Sequence, residues 1–243
     1  MMLEGGGDPH RDMKQYYEEW WENPRDPRDF VFRQLNALVR QRLPEGRGKT
    51  ALDVGSGKGA IVSMLRRRDY VVTAVELNAT FTGALRRDFP EVRVIEADVN
   101  SLELDTAVDL VTAIEFVQNL DEAGVRRFLE NAAGVASYLT ISISNRHSMH
   151  GLWTAFRRFQ KSFVYTYTPQ EMESMLEDSG FDVMYREGIG LITPVTLLPD
   201  FRLRIVPMWL ARVVNRVGDR LLPRICHLYY LEARRRANGR RRS

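Results

Sequence analysis

The chain of 243 residues is 44% hydrophobic and 28% charged, enough to bury one sizeable core, which excludes a disordered or fibrous protein. No charge-free run reaches the roughly 20 residues of a bilayer span, and the single cysteine, Cys226, excludes an internal disulfide or a cysteine metal cluster. The net charge of +3 is uneven: residues 232–243 hold six arginines against one glutamate, so the rest of the chain is slightly acidic. Such a tail is expected to be solvated, with attraction to anionic lipid or nucleic acid as the functional reading. The first twelve residues lack a basic-then-apolar pattern, so a cytoplasmic setting, peripheral to a membrane if the tail binds lipid, is expected.

In chain order, a helix is expected over Asp12–Glu22, with Tyr16, Tyr17, Trp20 and Trp21 at helical spacing, and a second over Phe30–Leu43. Together they make residues 1–45 a candidate helical lid. From Thr50 the texture changes to short apolar runs alternating with helical patterns. Ala51–Val54, Val71–Val75, Val92–Ile95, Val108–Ala113 and Tyr138–Ile143 read as strands; Lys58–Arg67, Ala79–Arg87 and Asp121–Ala133 read as helices. This alternation means right-handed crossovers and a parallel sheet covered on both faces. Further on, Thr168-Pro169-Gln170-Glu171 is a capping box with proline at the first helical position, and Gly180 stops that helix. Phe181–Arg186 and His227–Glu232 read as two more strands, with a helical insert of about 193–224 between them and a basic tail over 234–243. The fold class expected is therefore α/β: a Rossmann-like, seven-stranded, mostly parallel sheet with helices on both faces.

The strongest motif is Leu52-Asp53-Val54-Gly55-Ser56-Gly57-Lys58-Gly59, a strand running into alternate glycines from which a helix opens. Glycines permit a tight turn and let a ligand approach backbone amides at a helix N-terminus. The spacing is G-x-G-x-G rather than the G-x-G-x-x-G of dinucleotide folds. Asp53 would repel a pyrophosphate but suits a ligand bearing ammonium and sulfonium charges, such as S-adenosylmethionine. Glu76, with Leu77 after it, ends the second strand, where a carboxylate can accept both hydroxyls of a ribose. Asp98 follows the third strand, where an adenine amine needs an acceptor, with Val99 beside the ring. The competing readings are a structural glycine turn, an exposed strand-end glutamate and a loop aspartate.

These residues give the chain its resemblance to the class I S-adenosylmethionine-dependent methyltransferases, over about residues 50–190 and the last strand. The resemblance implies S-adenosylmethionine as cofactor, held by Asp53, Gly55, Ser56, Gly57, Gly59, Glu76, Leu77, Asp98 and Val99. The segment Val108–Phe116 resembles the family's fourth strand, which implies that Glu115 lies at the cofactor and faces the substrate. The aromatic N-terminal helix is similar to a family lid, which brings Tyr16 to the methionine end. The texture is closest to the quinone and natural-product branch, whose phenol-methylating members read E-x-x-E-H where this chain has Glu115-Phe116-Val117-Gln118-Asn119. Asn119 cannot act as a base, and no metal is expected.

The substrate expected is a small, apolar or amphiphilic molecule methylated on oxygen or nitrogen. His147, in the loop after the fifth strand, is the candidate catalytic base, with His150 beside it; a solvent-facing loop histidine is the plainer alternative. In the insert, Arg212, Arg216 and Arg220 share one helical face and Trp209, Val213 and Val217 another, which suits either a cleft cap or a membrane-surface helix. A nucleic-acid methyltransferase is disfavoured because Ile114-Glu115-Phe116-Val117 is unlike the Asn/Asp-Pro-Pro-aromatic segment that holds a flipped base. A non-catalytic cofactor-binding paralogue is disfavoured by the intact loop, and an NAD-type oxidoreductase by the glycine spacing and Asp53.

Overall fold

A computed structural model describes residues 29–101, 106–149, 151–152, 165–192 and 208–237. The expected helix at Asp12–Glu22, with Tyr16, and residues 193–207, His150 and residues 238–243 lie outside them. In chain order the elements are α1 (Asp29–Arg42), β1 (Thr50–Val54), α2 (Ala60–Arg67), β2 (Val71–Glu76), α3 (Ala79–Asp88), β3 (Arg93–Glu96) and β4 (Val108–Ala113). There follow α4 (Glu122–Val135), β5 (Ala136–Ser144), α5 (Pro169–Asp178), β6 (Phe181–Ile189), α6 (Met208–Leu221) and β7 (Leu228–Arg235). The strands form one sheet in the order β3-β2-β1-β4-β5-β7-β6. Strands β1 to β5 are parallel, and β7 pairs antiparallel with both β5 and β6.

Alternation along the strands separates two apolar layers. Leu52, Val54, Val111, Leu139, Ile141, Tyr229 and Leu231 face α4 and α5, meeting Phe128, Leu129, Met172 and Leu176. Ala51, Val72, Ala74, Leu110, Leu228 and Tyr230 face the other way, against Val31, Leu35 and Val39 of α1, Val62 and Leu65 of α2, Leu85 of α3 and Ala211 of α6. A sheet buried on both faces needs near-continuous apolar strands, and this is why the runs were readable.

Local chemistry starts the helices where the sequence places them. Asn78 Oδ1 accepts from the Thr80 and Phe81 amides at the head of α3, and Asp121 Oδ1 accepts from Gly124 at the head of α4. The capping box of α5 is complete: Thr168 Oγ1 accepts from the Glu171 amide at 3.1 Å and Glu171 Oε2 from the Thr168 amide at 2.8 Å. At the far end of the sheet α1 is held by Arg42, whose guanidinium donates to both carboxylate oxygens of Glu232 at 2.8 and 2.7 Å and lies 3.7 Å over the Tyr185 ring.

Strand β7 runs to Arg235, beyond the expected Glu232, because Arg234 and Arg235 stay in register with Tyr138 of β5 and Phe181 of β6. Arg236 then donates to Asp182 at 3.1 Å. The start of the basic tail is therefore part of the sheet rather than a free end.

Candidate functional site

The parallel strands all deliver their C-terminal ends to one edge, so the side chains that follow them line up in the order of the sheet. Across that edge run Asp98 after β3, Glu76 at the end of β2, the glycine loop after β1, Glu115 after β4 and His147 after β5. The sequence spreads these over 93 positions, from Gly55 to His147; the topology sets them side by side.

The loop is built by its glycines. Gly55, Gly57 and Gly59 all have positive φ (70°, 51° and 84°), a region costly for residues with a Cβ. A Cβ at Gly55 would come within 2.5 Å of the Phe116 ring, and one at Gly59 within 2.6 Å of Phe89, so both are fixed by close approach. A Cβ at Gly57 would meet nothing within 4 Å, which leaves the crest of the loop open. Glu76 stitches the crest to β2: its Oε2 accepts from the Gly57 amide and its Oε1 from the Asn78 amide, each at 2.8 Å. Burial raises the Glu76 carboxyl above its ordinary range, opposed by these amides.

Asp53 is fully buried below the loop. Its Oδ1 accepts from Thr112 Oγ1 on β4 at 2.6 Å, while Oδ2 is buried with no partner among the described residues. Burial pushes this carboxyl up to about 7, the Thr112 hydrogen bond pulling it down and the Glu76 charge raising it further. Asp98 is half-buried, with Oδ1 accepting from the Asn100 amide at 2.9 Å, and Val99 is buried beside it. Leu77, next to Glu76, leaves its apolar side chain exposed at the same edge.

Glu115 has a φ of +55°, one of three described non-glycine residues in the left-handed region. It is held there by Ser142 of β5, whose Oγ accepts from the Glu115 amide at 2.8 Å and donates to Oε1 at 3.0 Å. Gln118 Nε2 donates to Oε2 at 3.2 Å, and Gln118 is itself fixed by Ser144 Oγ at 2.9 Å. Burial pushes the Glu115 carboxyl up to about 7, with both hydrogen bonds opposing. A strained backbone kept by a dedicated clamp, around a carboxyl that titrates near neutrality, is the pattern of a functional residue.

Comparison with known proteins bears on this edge. The family model described as "Methyltransferase domain" matches residues 51–137, from β1 into β5. A probable S-adenosylmethionine-dependent methyltransferase of Mycobacterium tuberculosis is 26% identical over 162 residues, covering 64% of this chain and 57% of its own. The malonyl-(acyl-carrier protein) O-methyltransferase of Enterobacter lignolyticus is 28% identical over 51% of each chain. The chain thus spans little more than half the length of these curated relatives. Among solved structures, the magnesium protoporphyrin IX methyltransferase of Synechocystis with bound S-adenosylmethionine has a TM-score of 0.62 at 13% identity, covering 96% of this chain and all of its own. A S-adenosylmethionine-dependent methyltransferase of Archaeoglobus fulgidus has a TM-score of 0.58 at 21% identity, covering 84% and 94%.

Residues 51–137 match a methyltransferase domain, and the fold is the one shared by S-adenosylmethionine-dependent methyltransferases.

At this edge the residues present fit S-adenosylmethionine. The unpartnered Asp53 Oδ2 is an acceptor for a cationic group, the open crest at Gly57 leaves room over the loop, and each Glu76 oxygen keeps a lone pair beyond the amide it accepts. His147 is exposed in the turn after β5, its amide donating to Asn145 Oδ1 at 3.0 Å. Asn119 lies in a short 3-10 turn, and no group of histidine, cysteine, aspartate and glutamate with metal-binding geometry occurs among the described residues. Sequence reasoning missed Thr112, Ser142, Gln118 and Phe116. The signal for two of them was there: Thr112 and Ser142 alternate with apolar residues near the ends of their strands, and a buried strand hydroxyl needs a partner.

Proposed function

We propose that this chain transfers the methyl group of S-adenosylmethionine to an oxygen or nitrogen of a small, apolar or amphiphilic molecule, with Glu115 taking the proton. The carrying observation is the series of carboxylates at consecutive strand ends, Asp98, Glu76, Asp53 and Glu115, along the one edge where the sheet opens. Asp98 and Val99, with Leu77, suit the adenine; Glu76 the ribose; Asp53 and the loop of Gly55, Ser56, Gly57 and Gly59 the methionine end. Tyr16 is the candidate from the N-terminal segment for covering that end. When bound, the cofactor supplies an electrophilic methyl on a sulfonium, so the protein's tasks are alignment and exclusion of water.

Glu115 adds the one chemical task that an oxygen or a protonated amine requires. With a carboxyl near 7 it is partly ionised at neutral pH and able to receive a proton from the acceptor as the new bond forms. Ser142 and Gln118 each donate to one of its oxygens, which fixes the orientation of the carboxyl. His147, exposed one strand further along, is the remaining candidate for contact with the substrate. One curated relative is named as an O-methyltransferase, which favours oxygen as acceptor.

The test is release of S-adenosylhomocysteine on incubation with S-adenosylmethionine and a panel of apolar phenols, hydroxy acids and amines. Turnover with at least one member is expected, rising with pH and levelling above about 7. Glu115→Gln should cut kcat by about 10²-fold or more and flatten the pH profile. Full turnover in Glu115→Gln would remove the base from this reading, and an unchanged profile in His147→Ala would leave His147 outside the chemistry.

A further inference from the structure

Helix α6 is attached to the protein by the side that an ordinary surface helix would expose. Its buried positions are Ala211, Asn215, Gly218 and Asp219. Asp219 accepts from the amides of Gly190 and Leu191 at 3.1 and 2.8 Å, capping the end of β6. Asn215 accepts from the Ile192 amide and donates to its carbonyl, both at 2.9 Å. Gly218 admits Leu191, whose Cδ2 lies only 2.4 Å from where a Cβ would stand. Polar and small residues thus face inward and fix the helix in one rotation.

The consequence is an apolar outer face. Trp209, Val213, Val217 and Leu221 recur every four residues and are 66%, 59%, 57% and 73% exposed. Leu222 and Ile225 continue the strip into the following turn, also exposed. Beside this lane, offset by one residue, run Arg212, Arg216, Arg220 and Arg224, all exposed. Asp219 is the sole acidic residue between Met208 and Cys226, and it is buried. The exposed surface therefore joins an apolar lane of about 18 Å to an arginine lane of the same length, with no exposed carboxylate between Met208 and Cys226.

We propose that this face of α6 docks on an anionic lipid surface. The charge pattern selects the occupant: a single-sign row of arginines next to an apolar strip matches the phosphate plane and the acyl boundary of a bilayer, with Trp209 at the interface. The docking also has a consistent direction. Ser144, Leu228 and Ile189 are in register across β5, β7 and β6, so α6 rises from the same sheet edge as the glycine loop and Glu115. A bilayer under α6 then lies along the edge where an amphiphilic acceptor would enter. Lipid binding by this surface does not depend on the chemistry at the strand ends, and its test reads no turnover.

The full chain is mixed with vesicles of neutral phosphatidylcholine, or of the same lipid with about 30% phosphatidylglycerol, at low and high salt, and pelleted. Pelleting with anionic vesicles at low salt is expected, reduced several-fold in high salt and on neutral vesicles. Two variants locate the surface: Val213→Ser/Val217→Ser/Leu221→Ser and Arg212→Gln/Arg216→Gln/Arg220→Gln. All six positions are exposed, so both variants should keep the wild-type circular dichroism and melting temperature while losing most of the bound fraction, by about fivefold or more. Absence of pelleting by the wild-type chain, or pelleting unchanged in both variants, overturns the proposal, the latter assigning the binding to the arginines beyond Ala237. Self-association of the free chain that the serine variant abolishes would overturn it too, making a second copy the occupant.

Discussion

Asp53 and Glu115 are carboxyls whose burial disfavours the charged form, and both titrate near 7 in the folded chain. In the unfolded chain they titrate near 4. Over the interval between, the native state binds more protons than the unfolded state, so their contribution to stability falls as pH rises from about 4 to about 7 and is level above that. For Asp53 this predicts that the melting temperature of Asp53→Asn, relative to wild type, climbs between pH 5 and pH 8 in thermal melts without ligand. A relative melting temperature that stays flat over that range would mean a carboxyl that titrates at or below its usual value instead. A bound cation beside Oδ2 would favour the ionised form, so the same substitution should weaken cofactor binding. At Glu115 the left-handed backbone itself costs about 1–2 kcal/mol. Asp53, Glu76 and Asp98 were legible in the sequence because each lies at or close to the end of an apolar run, a position that needs no knowledge of pairing. The clamp on Glu115 was not legible, since Ser142 and Gln118 reach it only through the β4–β5 register and the turn after β4.

Elements carry the next level of constraint, and here single atoms decide whether a loop can form. Gly55→Ala would place a methyl 2.5 Å from Phe116 Cδ2 at a φ of +70°. A loss of more than about 1–2 kcal/mol in denaturant melts is expected, together with weakened cofactor binding; wild-type stability would show that the loop relaxes freely. Thr168→Ala removes one arm of the α5 capping box and should cost about 1 kcal/mol by the same measurement, without altering the strand-end carboxylates. The box, the asparagine and aspartate caps and the glycine stops are local chemistry, which is why helix starts could be read from sequence to within a few residues. The orientation of α6 is the contrary case. Its two faces left a cleft cap and a membrane-surface helix open; its rotation is set by Asp219, Asn215 and Gly218, whose tertiary partners lie 23 to 29 residues upstream and turn the apolar lane outward.

At the scale of the molecule, the register of five strands creates a polar row that crosses the sheet on the α1 side. Asp53, Thr112, Thr140, Glu232 and Tyr185 are successive cross-strand partners, closed at the far end by Arg42 of α1. Within it Thr112 donates to Asp53 and Arg42 pairs with Glu232, so the row runs from the floor of the glycine loop to α1. No helix among the described residues is long and apolar enough to cross a membrane. The fold thus concentrates its unmet polar capacity at the strand ends, and the account stands or falls on what binds there. Isothermal calorimetry of the chain with S-adenosylhomocysteine and, separately, NADH is the direct measurement. The account predicts saturable binding of S-adenosylhomocysteine at one site, weakened by about 1–3 kcal/mol in Glu76→Ala, and none of NADH. Tight binding of NADH with no heat from S-adenosylhomocysteine would contradict it.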